Sequence, residues 1–170
     1  LGGTWIHTGT LPSKTLRESL AAIQAIKNHV GEEWVSRVIN DLEPTELTER
    51  AKRVSCQEQD LVKKYLSNNN IKLLEGYASL ENRFTVRIIP NTENPYTLQS
   101  KFILVATGSR PYRPSHIPFD GWKIIDSDEI LRLKNIPRSM IIYGGGVIGC
   151  EYACIYSSLG VKVTIIDSRP

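Results

Sequence analysis

Cysteine is scarce in this sequence: Cys56, Cys150 and Cys154 are the only three, and no two form a C-x-x-C pair. A disulfide framework and a zinc cage both lack material, and no metal site is expected. Cys150 and Cys154 are four positions apart and share one side of a helix, where two small buried thiols are expected. Such sparse usage fits a reducing compartment, so a cytoplasmic location is expected. Lys and Arg never run beyond two in a row, which argues against a nucleic-acid partner. No apolar run approaches about 18 residues, so no membrane span is expected, and no signal peptide is visible. The opening residue is Leu1 rather than Met, and Pro170 comes directly after an expected strand. Both ends read as an internal piece of a longer protein.

What is present suits a soluble globular fold. Hydrophobic residues make up 41% and charged residues 23% of 170 positions, enough for one real core. The net charge of +3 suits anionic, phosphate-bearing cofactors. Pro12 and Ser13 open a helix to about Asn28, with Leu16, Leu20, Ile23 and Ile26 at helical spacing. A second helix is expected over 45–67, with Thr45 as its cap. Ile71–Leu74 and Phe84–Ile89 read as strands, Pro90–Pro95 as a turn, and Lys101–Ala106 as a buried strand. Pro111, Pro114 and Pro118 mark a linker. Beyond it come a strand at Met140–Tyr143, a glycine-rich turn, a helix at Val147–Leu159 ended by Gly160, and a strand at Lys162–Ile166. The expected fold class is α/β: pieces of two Rossmann-like dinucleotide-binding domains, with parallel sheets and a small antiparallel β element.

The glycine-rich turn carries the clearest chemistry. Gly144-x-Gly146-Val147-Ile148-Gly149 follows an apolar strand and opens a helix. A second strand returns after Gly160 and ends on Asp167. This is the dinucleotide-binding arrangement. Gly144 makes the tight turn, Gly146 admits the pyrophosphate, and Gly149 lets helix and strand pack closely. Free N–H groups at the helix start favour the anion. Asp167 is placed to accept from an adenosine ribose, which favours NAD. Arg169, two residues on, is placed to meet a 2′-phosphate, which favours NADP. The preference between them stays open.

The opening Leu1-Gly2-Gly3-Thr4-Trp5-Ile6-His7-Thr8-Gly9-Thr10-Leu11-Pro12-Ser13-Lys14 resembles the active-site segment of the pyridine nucleotide–disulfide oxidoreductases. Trp5 and Thr10 stand where that family carries its two redox cysteines. Without the dithiol, disulfide reduction is disfavoured. His7-x-Gly9-Thr10-Leu11-Pro12-Ser13-Lys14, the segment from Ala106 to Pro114, the Asp126-Ser127-Asp128-x-Ile130-Leu131 stretch and the Ile141–Ala153 segment are similar to the flavin-dependent transhydrogenase branch. That branch has Thr at the second cysteine position but usually keeps the first cysteine, where this chain has Trp5. The resemblance implies a partial FAD-binding domain over 1–113 and the first half of an NAD(P)-binding domain over 114–170. A further FAD fingerprint would lie upstream of Leu1, and a dimerisation domain would follow Pro170.

The same resemblance implies FAD, NAD and NADP as cofactors and a homodimeric parent. Lys14 matches a lysine near flavin N5, and Glu151 matches its carboxylate partner; these are the expected catalytic pair. Gly2, Gly3, Thr4, Thr10, Gly76, Ala78, Ala106, Thr107 and Gly108 match cofactor-binding positions. The implied activity is hydride transfer between NADPH and NAD through FAD. Two other readings stay open from the sequence: a related reductase with a degenerate redox site, and a non-catalytic nucleotide-binding module.

Overall fold

The computed structural model describes residues 1–41 and 44–167. They form two compact units, Leu1–Asp60 with Ser109–Pro170, and Leu61–Gly108. Among these residues no helix is long and apolar enough to cross a membrane.

The first unit starts with a short helix, α1 (Gly3–His7), followed by α2 (Thr10–Val30), α3 (Glu32–Asp41) and most of α4 (Pro44–Asn68). Gly2 precedes α1 at φ +88°, and any Cβ there would collide with the Ile6 side chain. Ile6 itself is wholly buried, and its carbonyl accepts the Ser55 hydroxyl of α4 at 2.7 Å. That bond satisfies a polar pair that burial would otherwise leave costly. α2 begins two residues before Pro12, which therefore lies in the first turn, where a missing N–H costs nothing. α3 is an element beyond the sequence reading. Gly31 separates it from α2, and Glu32 and Glu33 occupy its first turn, where acidic groups oppose the helix dipole.

The same unit carries β4 (Ser139–Tyr143), α5 (Val147–Ser158) and β5 (Lys162–Ile166). β4 and β5 pair in parallel, Ser139 opposite Lys162 through Tyr143 opposite Ile166. This is the expected βαβ unit, formed within a residue of the expected bounds. Its core joins α2 to α5: Leu16, Leu20, Ile130, Tyr152, Ile155, Tyr156, Leu159 and Val161 form one buried cluster. Gln24 of α2 also donates to the Ser158 carbonyl at 3.2 Å.

The second unit holds an antiparallel meander, β1 (Gly76–Asn82), β2 (Thr85–Pro90) and β3 (Tyr96–Gln99), in the order β1-β2-β3. This is the small antiparallel element of the expected fold class. Two expected strands do not form. Residues 71–74 and 101–106 carry no strand assignment, and Phe102 and Leu104 are about nine-tenths exposed. A strand needs a neighbour's N–H and C=O groups, and among the described residues no strand pairs with either segment. The thiols are a further correction. Cys150 and Cys154 are exposed and free, as is Cys56, because the buried side of α5 is taken by Tyr152, Ala153, Ile155 and Tyr156.

Candidate functional site

The turn between β4 and α5 is built almost wholly from backbone. Gly144 lies at φ +118°, a region that side-chain-bearing residues rarely adopt. Its N–H donates to the Ile166 carbonyl at 2.8 Å, which ties the turn to the end of β5. The Gly145 N–H donates to Asp167 Oδ2 at 2.9 Å. Asp167 therefore reaches across the mouth of the turn from the strand end, as its sequence position suggests. Gly146 precedes α5 in an extended conformation, and no side chain caps the helix. A Cβ on Gly146 would meet nothing within 4 Å, whereas one on Gly149 would strike the Gly144 carbonyl and approach Ile142 Cγ2 to 3.2 Å.

The two glycines thus differ in kind. Gly149 is small because the helix presses on the strand. Gly146 is small beside open space, as close approach by an outside group requires. Val147 and Ile148, in the first turn, are 86% and 58% exposed, an unusual expense of apolar surface at a helix start. An exposed helix N-terminus with an open backbone turn in front of it fits a pyrophosphate. Cys150 closes the arrangement: its N–H donates to the Gly146 carbonyl at 2.9 Å and its thiol to the Gly145 carbonyl at 3.3 Å. Arg169 lies outside the described residues.

The other expected positions fall in three places. Gly2, Gly3 and Thr4 lie at the start of α1, and Thr10 and Lys14 lie at the start of α2. The Thr4 carbonyl accepts the N–H groups of both Thr8 and Gly9, at 3.2 and 2.6 Å, and so shapes the α1–α2 corner. Trp5 is 48% exposed there. His7 Nε2 lies 2.9 Å from the Leu1 carbonyl, and Gln59 Nε2 lies 3.5 Å from Nδ1 and 3.4 Å from Nε2. Lys14 is exposed and Glu151 half-buried, and no ion pair joins them among the described residues. They nevertheless belong to two helices that share one core.

Gly76 and Ala78 lie in β1, opposite Pro90 and Ile88. A Cβ on Gly76 would come within 2.5 Å of the Ile89 carbonyl, so the strand crossing itself demands glycine. Ala106, Thr107 and Gly108 are exposed and lie outside any helix or strand, with Gly108 at φ +83°.

One group escaped the sequence reading. Asp126 Oδ1 accepts the N–H groups of Asp128 and Glu129 at 2.9 and 3.1 Å, and Glu129 Oε2 accepts the Asp126 N–H at 3.2 Å. This reciprocal cap was signalled by Asp-x-x-Glu before Ile130-Leu131. Arg113 binds both carboxylates: its Nε and Nη2 lie 2.8 Å from Asp126 Oδ2, and Nη2 lies 2.9 Å from Glu129 Oε1. Burial opposes the charge on Asp126, but Arg113 and the two N–H donors outweigh it and hold the carboxyl below its usual range.

Comparison with known proteins agrees with this geometry. The pyridine nucleotide-disulphide oxidoreductase family model matches residues 1–170. A soluble pyridine nucleotide transhydrogenase from Mycobacterium tuberculosis is 37% identical over 170 residues, covering 99% of this chain and 36% of the relative. One from Azotobacter vinelandii is 39% identical over 175 residues, with 99% and 36% coverage. The chain thus spans little more than a third of these relatives' length. Among solved structures, LpdA from Mycobacterium tuberculosis superposes with a TM-score of 0.86 at 20% identity, covering 99% of this chain and 37% of that one. The HOCl-induced flavoprotein disulfide reductase RclA from Escherichia coli gives 0.67 at 28% identity, with 96% and 33% coverage. With its fingerprint turn formed and its full length matched, the chain belongs to the pyridine nucleotide-disulphide oxidoreductase family.

Proposed function

We propose that this chain is part of an FAD-dependent oxidoreductase that transfers hydride between NADPH and NAD. Residues 1–113 belong to its FAD-binding domain and 114–170 to its NAD(P)-binding domain. The observation that carries the reading is the open, uncapped start of α5 beneath Gly144-x-Gly146, with the Asp167 carboxylate across its mouth. The names of the relatives support the transhydrogenase assignment, and so does Thr10 at the second cysteine position, whereas Trp5 departs from that branch.

In this reading the α5 N-terminus and Gly146 hold the pyrophosphate of the nicotinamide coenzyme, with Val147 and Ile148 against it. Asp167 accepts from the ribose, and Arg169 meets a 2′-phosphate when one is present. Gly2, Gly3, Thr4, Thr10, Gly76, Ala78, Ala106, Thr107 and Gly108 hold FAD. When bound, FAD supplies the hydride relay between the two coenzymes. Lys14 provides fixed positive charge for its reduced form, and Glu151 pairs with Lys14 in the assembled protein, because a partly dry cation needs a partner. The parent is cytoplasmic and homodimeric.

The test is made on the full-length protein. NADPH-driven reduction of an NAD analogue is expected, without turnover of dihydrolipoamide or glutathione disulfide. Lys14→Met is expected to slow flavin reduction about tenfold or more while leaving coenzyme affinity nearly intact. Robust disulfide turnover, or no flavin reduction by either nicotinamide, overturns the reading.

A further inference from the structure

We propose that Arg113 is a positioning residue, which holds the dinucleotide turn of α5 in register with the Lys14 helix by clamping the Asp126–Glu129 cap. This rests on the reading above for what Lys14 and the turn do. The connector from Ser109 to Arg138 contains no strand and only one helical turn, the 3-10 turn Ile130–Arg132. Backbone ladders therefore do not set its shape, and side chains must.

The observations run in one chain of contacts. Arg113 bridges Asp126 and Glu129, whose side chains are only 9% and 24% exposed, and its guanidinium lies 4.9 Å from the centre of the Phe119 ring. The capped stretch passes directly into Ile130, whose N–H donates to the Asp126 carbonyl at 3.1 Å. The Ile130 side chain is buried in one cluster with Leu16 and Leu20 of α2 and Tyr152, Ile155 and Tyr156 of α5. Two tyrosines of α5 bond to the same stretch: Tyr156 donates to the Ile130 carbonyl at 3.3 Å and Tyr152 to that of Ser127 at 3.5 Å. The seat of Ile130 thus bears on both helices, one carrying Lys14 and the other opening at the dinucleotide turn.

An isolated surface ion pair would contribute little. This one differs in geometry: a planar fork spans two carboxylates that are already fixed by backbone N–H groups. Without the guanidinium, two neighbouring like charges face each other, and the cap opens where it meets the core. A misplacement well below the size of a side chain is enough to slow a transfer between two held rings.

The experiment compares wild type, Arg113→Gln and Arg113→Lys in the full-length, FAD-loaded protein. Three quantities are read: the rate of flavin reduction by NADPH, the coenzyme Kd, and amide hydrogen exchange over residues 126–131 and 151–156. R113Q is expected to reduce flavin about tenfold more slowly with Kd within about twofold of wild type, and to exchange faster at both stretches. R113K, which keeps the charge and loses the fork, is expected to fall between. If R113Q does not fold, R113K carries the same comparison. Unchanged exchange in a folded variant overturns the proposal, as does a parallel loss of rate and coenzyme binding. If wild-type flavin is reduced by neither nicotinamide, the functional reading fails by itself and exchange alone decides the clamp.

Discussion

At the scale of single residues, charge placement gives the sharpest expectations. Asp126 is held ionised chiefly by Arg113, against the opposing effect of its own burial. Its folded pKa lies below the unfolded value of about 3.9. The stability it contributes is therefore complete above that value and is lost as pH falls through the lower, folded one. Asp126→Asn is expected to cost on the order of 1–3 kcal/mol at neutral pH. It should also flatten the stability–pH curve below about pH 4, which denaturant titrations between acid and neutral pH would show. Coenzyme choice belongs to this scale as well. In the proposed reading Asp167 accepts from the ribose and Arg169 follows two residues on, so Arg169→Ala should weaken NADP far more than NAD. Equal loss, measured as the ratio of the two dissociation constants, removes Arg169 from that role. Gly144 and Gly149 were legible as residues, because the positive φ of the one and the helix–strand contact of the other each demand glycine. The Arg113 clamp was not: Asp-x-x-Glu announces a cap, but no local pattern says that an arginine 13 positions upstream will fold back onto it.

At the scale of elements, β4, α5 and β5 were readable because each signal was local and complete. Apolar residues, a glycine turn, a helical run and a second apolar run follow in order, and each needs only the next to be satisfied. The strands expected at 71–74 and 101–106 were misread for the opposite reason: composition marks a segment as fit for a sheet, but pairing needs a neighbour. α3 was missed although its acidic first turn after Gly31 was a usable sign. Two substitutions test α5. Gly149→Val places a branched side chain against the Gly144 carbonyl and Ile142, and is expected to cost about 1–3 kcal/mol or more by overpacking. Thermal unfolding checks this, and coenzyme binding should fall with it. Burial pushes the Tyr156 hydroxyl up to about 12, above its unfolded value of about 10. Folding thus keeps a proton that the unfolded chain releases, and stability falls as pH rises through this window. Tyr156→Phe is expected to shrink that alkaline loss, as measured by unfolding at pH 9 to 11.

At the scale of the whole molecule, the α/β class was legible, whereas of the antiparallel meander only β2 was read from its alternation, and β1 and β3 were not. The first unit is assembled from two stretches, residues 1–60 and 109–170, with the second unit contributed by the chain between them. Its buried cluster needs Leu16 and Leu20 together with residues from Ile130 to Val161. That arrangement imposes an order in time. On a ribosome the amphipathic α2 emerges more than a hundred residues before α5, whose side chains complete its buried cluster, so its apolar stripe stays open to chaperones and proteases in the interval. The meander pairs only near neighbours and is free to zip as soon as Gln99 clears the exit. Chains arrested after residue 135 are therefore expected to be cleaved within α2 but resist cleavage between β1 and β3, whereas arrest after Pro170 has emerged should protect both. Equal protection of α2 at the two lengths contradicts this order. The cost of a core shared between distant stretches is a nascent chain in which α2 must wait for α5.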